Sequence, residues 1–106
     1  MPDDVELAMF TALFDARPGG EESLAALLAR YVVMTRREPA CRNVDLVAST
    51  TVGGRFLVVE KWDHASAVQR HLDSPLMADT AREALPLLAE KPSLDLYDTI
   101  SAHDLA

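Results

Sequence analysis

The segment Arg55-Phe56-Leu57-Val58-Val59-Glu60-Lys61-Trp62 limits what this chain can fold into more than any other. It is the length of a strand and rich in β-branched and aromatic residues. It follows Val52-Gly53-Gly54, a hairpin turn that pairs it antiparallel with the run Arg42 to Thr51. Side chains alternate across a strand, so Phe56, Val58, Glu60 and Trp62 share one face while Leu57, Val59 and Lys61 share the other. An antiparallel strand with one wet side would alternate apolar with polar residues, and this one does not. The run Leu7 to Asp15 is similar, with Leu7, Met9 and Leu13 opposite Ala8, Phe10 and Phe14, and the Arg17-Pro18-Gly19-Gly20 cluster closes it.

The remaining elements follow from periodicity and caps. Glu21 to Glu38 sets Leu24, Leu27, Leu28, Tyr31 and Thr35 on one helical face, with Glu21 and Glu22 in the first turn, Arg36 and Arg37 in the last, and Pro39 as the stop. Asp63 is expected to cap a short helix through Leu72, and Ser74-Pro75 to open another that Pro86 kinks or breaks. Leu94 to Ile100 reads as the last strand, before a polar tail.

The order β, α, β, β, α, β is an α+β, ferredoxin-like arrangement, a four-stranded antiparallel sheet with helices on one face. A chain of 106 residues has room for one core, so a single domain over 1–106 is expected, its core at about 7–100 between short polar termini. Helices cover only one sheet face. The other predicts a homodimer or a higher even assembly through that face, the alternative being cover by side chains of the tail or loops.

Composition excludes several functions. With 10 Lys and Arg against 17 Asp and Glu, the net charge is −7, and no basic run exceeds Arg36-Arg37, so nucleic acid and anionic membrane surfaces are poor partners. No apolar run approaches the roughly 20 residues of a membrane span. The acidic start Met1-Pro2-Asp3-Asp4 and the lone Cys41, unable to form an internal disulfide, point to the cytoplasm. His64 and His103 have no spacing suited to a metal site with His71, and Gly19-Gly20 and Gly53-Gly54 match no phosphate-binding motif. Cys41 reads as a structural or exposed thiol, and serine nucleophile motifs are absent.

Glu60, Trp62 and His71 are the candidates for chemistry. Glu60 is the acidic residue well inside an apolar strand, and Trp62 is the only tryptophan. His71 lies on the following helix, spaced with Val68 and Leu72 to face the sheet. A carboxylate, an imidazole and an aromatic wall would then meet between sheet and helices, with Phe10, Tyr31, Phe56, Val58, Val68 and Leu72 lining a small apolar pocket. Each has a plain structural reading too: His71 and Trp62 as core, and Glu60 held by an Arg or Lys across the subunit interface, because a buried carboxylate must be paired or protonated.

Thr35-Arg36-Arg37-Glu38-Pro39-Ala40-Cys41 leading into Asp45-Leu46, then Arg55 to Trp62, and then Ala67, His71 and Ser74-Pro75 carry a resemblance, as does Glu-x-Trp followed nine residues later by His. Over Leu7 to Ile100 the chain resembles the antibiotic biosynthesis monooxygenase superfamily of dimeric α+β barrel proteins. The resemblance implies a cleft in each subunit and, in catalytic members, oxygenation of quinol-like or polyketide-type aromatics by dioxygen without flavin, haem or metal. A deprotonated phenol can reduce dioxygen itself, so the protein supplies a base, orientation and an apolar enclosure. In that reading His71 or Glu60 assists deprotonation and Trp62 packs against the ring. Two departures stand out: Ala40 where relatives usually have Gly, which bears only on the turn, and Thr11 where haem-degrading relatives place a first-strand asparagine. Haem degradation is disfavoured, while Trp62 and His71 leave haem binding open. A non-catalytic or regulatory binder of a small apolar ligand is the other reading.

Overall fold

The hairpin expected at Val52-Gly53-Gly54 forms, with Gly54 at φ 76°, a left-handed conformation that glycine adopts without steric cost. It turns the chain between strands β2 (Cys41–Ala48) and β3 (Arg55–Trp62). β2 stops three residues short of the expected Thr51 because the Ser49 hydroxyl accepts hydrogen bonds from the amides of Thr51 and Val52, closing the turn early. The computed structural model describes residues 7–100. Around the hairpin it places β1 (Ala8–Asp15), α1 (Glu21–Thr35), α2 (Ala65–Leu72), α3 (Pro75–Ala84), a single 3-10 turn (Leu85–Leu87) and β4 (Ser93–Asp98).

The four strands form one antiparallel sheet in the order β2-β3-β1-β4, and the fold is α+β and ferredoxin-like as the element order required. Register sets Phe10 opposite Glu60 and Ala12 opposite Val58, with Val44 on the other flank of Glu60. This face is covered by helices. Ala8, Phe10, Val44, Val58 and Trp62 pack with Tyr31, Val32, Ala67 and Val68 in one apolar cluster, and Leu24, Leu27 and Leu28 pack with Ala84 in a second. On the opposite face Met9, Leu13, Leu57 and Val59 are half-buried, and Val47 and Tyr97 are exposed. The apolar residues expected on the second face are present, with Thr11, Asp45, Lys61 and Asp95 set among them.

Three expectations need correction. α1 ends at Thr35 rather than Glu38, because Pro39 disfavours helical backbone before it. The last amides turn back to carbonyls three residues away, Arg37 to Met34 and Glu38 to Thr35. Asp63 does not cap α2; the N-cap is His64, and the Asp63 carboxylate is taken by Arg42 at 2.7 Å. Pro86, expected to kink or break α3, does break it, into the 3-10 turn. β4 spans Ser93–Asp98 rather than Leu94 to Ile100, and as an edge strand beyond the helices it leaves Leu94 and Leu96 exposed. His103 and the N-terminal acidic residues lie outside the described residues.

Ser74 caps α3 as expected, its hydroxyl accepting from the Met77 amide at 3.2 Å with Pro75 in the first helical position. Ser74→Ala is expected to lower the unfolding free energy in urea by about 1 kcal/mol. An unchanged urea midpoint would show that the cap contributes nothing.

Candidate functional site

Glu60 sits at the middle of the sheet between Phe10 and Val44, two apolar neighbours, with its side chain wholly buried. A carboxylate stripped of water there must find donors within the protein. Trp62, two residues on and therefore on the same face, donates its Nε1–H to Oε1 at 2.9 Å. Tyr31, from the buried stripe of α1, donates its hydroxyl to Oε2 at 2.5 Å. No Arg or Lys of another subunit is needed, which corrects the expectation for Glu60: its partners come from its own chain.

The same tyrosine oxygen lies 2.6 Å from Nε2 of His71, which α2 turns inward with Val68. Nδ1 of His71 lies 2.7 Å from the Glu38 carboxylate, in the turn after α1. Trp62 packs on the imidazole with ring centres 4.6 Å apart and the planes tilted by 37°. One continuous chain therefore runs Glu60, Tyr31, His71, Glu38, with Trp62 holding its inner end.

The three links of this chain need one proton each. With Tyr31 donating to Glu60, His71 donates from Nε2 to Tyr31 and from Nδ1 to Glu38, an imidazolium between two carboxylates. Moving two protons along gives a second arrangement with the same count: protonated Glu60 donates to Tyr31, Tyr31 donates to neutral His71, and His71 donates to Glu38. Tyr31 passes protons without losing one on balance. Burial, and then the Glu60 carboxylate beside it, push its phenol far above the ordinary range.

Burial also raises the Glu60 carboxyl above its ordinary value, partly offset by the bonds from Tyr31 and Trp62 and by the charge on His71. A carboxyl raised on folding binds more protons folded than unfolded, so its ionisation lowers stability as pH rises above the ordinary value of 4.5 towards the folded one. Glu60→Gln keeps the protonated arrangement, its amide oxygen accepting from Trp62 and its nitrogen donating to Tyr31. The variant is expected to gain stability relative to the native chain as pH rises through that window. Parallel pH profiles in urea unfolding would contradict it. Burial lifts the Cys41 thiol to about 11, which keeps it protonated and unreactive at neutral pH.

On its other side Tyr31 borders an apolar cavity of about 180 Å³ between β1, β4 and α3. Phe10, Phe14, Met77, Leu88 and Leu94 are among the apolar residues of its wall, and Thr80 is the other polar residue there. Of the residues expected to line a pocket, Phe10 and Tyr31 line this cavity. Val58 is buried in the first cluster, as is Val68, which borders a separate pocket of about 270 Å³ beside Ala8 and Tyr97; Leu72 packs against that cluster and Phe56 against the second. Glu60, His71 and Trp62 come together as the sequence suggested, but behind Tyr31, and Trp62 faces the imidazole instead of the cavity. Glu38, Phe14, Met77 and Leu88 were missed; Phe14 shares the face of Phe10 by simple alternation and was open to inference. Among the described residues no group of three His, Cys, Asp or Glu side chains is arranged to hold a metal ion.

Fold and site together define a class: a ferredoxin-like α+β domain with a buried acid–base chain beside a small apolar cavity. The antibiotic biosynthesis monooxygenase family model matches residues 8–83, from β1 to the end of α3, and the chain belongs to that family. Among solved structures it is similar to Rv0793 from Mycobacterium tuberculosis, at 26% identity and a TM-score of 0.83 over 90% of this chain and 96% of that one. It is similar also to SO0527 from Shewanella oneidensis, at 26% identity and a TM-score of 0.83 over 91% and 93% of the two chains. PA3566 from Pseudomonas aeruginosa shares the fold at 24% identity and a TM-score of 0.81, over 91% and 96%. No curated protein matches significantly.

Proposed function

We propose that this protein is a cofactor-independent monooxygenase, an oxidoreductase that uses dioxygen to oxidise a small quinol-like or polyketide-type aromatic. The observation that carries the reading is the position of Tyr31, whose ring walls the apolar cavity while its hydroxyl is tied to buried Glu60 and His71. The cavity compares with apolar voids of about 150 Å³ that take up one benzene ring, which favours a single-ring quinol. A substrate hydroxyl against Tyr31 meets an oxygen with one lone pair free. Its proton passes to Tyr31 as the Tyr31 proton moves to Glu60, leaving a phenolate rich enough in electrons to reduce dioxygen. One oxygen atom enters the ring and the other leaves as water, all four electrons coming from the substrate.

Haem fits this site poorly. Both ring nitrogens of His71 are engaged, by Tyr31 and Glu38, and its side chain is sealed from solvent. A second reading, a non-catalytic binder of a small apolar ligand, is favoured by the nearly wholly apolar cavity wall and by the mutual satisfaction of Glu60 and His71. The reading extends to a homodimer through the open sheet face, without nucleic acid or membrane partners, in the cytoplasm. The free thiol of Cys41 agrees with a reducing compartment, and no helix among the described residues is long and apolar enough to cross a membrane.

The test is oxygen uptake by purified, cofactor-free protein with a panel of hydroquinones and anthrones, against heat-treated protein. Uptake above that background, with one oxygen atom gained in the product mass, is expected. Folded protein that binds these aromatics without accelerating uptake would establish the binder instead.

A further inference from the structure

Three of the four groups in the chain are sealed from solvent. The side chains of Glu60 and His71 have no exposed surface, and Tyr31 is 4% exposed. Glu38 differs, with a third of its side chain in water. Its position is built rather than incidental. The backbone of Glu38 is held on both sides, its amide donating to the Thr35 carbonyl at 3.1 Å and its carbonyl accepting from the Cys41 amide at 3.0 Å. The Asp63 amide donates to the Ala40 carbonyl at 2.9 Å, which ties the same turn to the end of β3. A backbone carbonyl would orient the imidazole equally well, but only a carboxylate can also take its proton.

We propose that Glu38 is the solvent port of a proton relay, Glu60–Tyr31–His71–Glu38, that carries a phenolic proton out of the cavity to water. The inference rests on the reading above for its substrate class, a ring bearing an acidic hydroxyl.

The steps balance. The substrate O–H bond breaks and its electron pair stays on the substrate oxygen; the proton bonds to the Tyr31 oxygen as the Tyr31 proton moves to Glu60. The chain then holds one proton more than its three links use. The surplus leaves at the far end, the Nδ1 proton of His71 passing to Glu38 and from Glu38 to water. Oxygenation with loss of water releases no net proton overall. When the peroxide oxygen departs as water, one proton therefore returns by the same links in reverse, and the chain is reset without any ring flip of His71.

The experiment mixes the intact protein with 4-nitrophenol in a stopped-flow instrument. It follows bound phenolate by its absorbance and proton release by an indicator dye in weak buffer. In the native protein the two signals are expected to rise together. Glu38→Gln keeps the hydrogen bond from Nδ1 but cannot take the proton. Phenolate is expected to form with the native amplitude, while proton release slows at least about tenfold and is restored by added acetate.

Release at the native rate in Glu38→Gln would overturn the port. So would loss of the phenolate signal in both Glu38→Gln and Glu38→Asp, which would reduce Glu38 to positioning His71. The oxygenase reading fails separately: hydroquinones that give no oxygen uptake, beside intact phenolate formation and proton release, would remove the oxygenase and leave the relay. Uptake alongside native-rate release in Glu38→Gln would do the reverse.

Discussion

Tyr31→Phe is expected to lower hydroquinone-dependent oxygen uptake by about 100-fold while leaving the aromatic wall of the cavity in place. Among the described residues Tyr31 is the member of the acid–base chain that borders the cavity, so in the proposed reaction a substrate proton reaches Glu60 or His71 through its hydroxyl. Phenylalanine keeps the ring and its place in the first apolar cluster but removes that oxygen. Two buried groups then lose a partner, Oε2 of Glu60 and Nε2 of His71, at a cost of about 1–3 kcal/mol in stability. Part of this cost is recovered if the two close on each other, since Nε2 already lies 3.5 Å from Oε1. Substrate binding, read by equilibrium dialysis, should change far less than turnover. A variant with native binding, native melting and undiminished oxygen uptake would place the base elsewhere and sink the assignment of Tyr31.

The elements were legible because their signals are local. Both faces of β3 read as apolar from eight consecutive residues, and the buried stripe of α1 from three- and four-residue steps. Glu60 and Trp62 had to share a face, and His71 had to look inward with Val68. What local pattern could not supply is how far along the sheet each helix crosses. Val58 and Val68 face the correct layer yet sit deep in the core, while the cavity lies further along β1, closed by residues from α3 and from beyond Pro86.

Glu38 was hidden for a related reason. Read as the last turn of a helix it would be one more solvated acid. Ending α1 at Thr35 places it in a turn, 33 residues in sequence from the imidazole it holds. The pairing of Glu60 was misjudged because an apolar strand offers no neighbouring cation, whereas neutral donors on α1 and two residues downstream satisfy it.

Val59→Asp is the second substitution with a large expected effect, on assembly. Val59 lies on the central strand β3, on the face opposite Glu60, flanked in register by Thr11 and Asp45. Met9, Leu13 and Leu57 spread around it, with Val47 and Tyr97 towards the sheet edges. The proposed two-fold dimer through this face buries the same patch on both subunits, so each copy brings a further carboxylate, beside that of Asp45, into a water-poor contact. The dissociation constant is expected to rise at least about 100-fold, equivalent to roughly 3 kcal/mol, and sedimentation velocity at micromolar concentration should show monomers where the native protein shows dimers. A native chain that is monomeric under those conditions would remove the dimer altogether, and a dimeric variant would seat the partner on some other surface.

The same variant also asks whether one subunit is enough for activity. Glu60, Tyr31, His71 and Glu38 all belong to one chain, and the substitution points away from them. If the monomer keeps its phenolate-forming step, the partner serves to cover the sheet. If it loses that step while its melting temperature stays near that of the native protein, the partner helps to hold β1 and β3 in the register that sets Phe10 against Glu60.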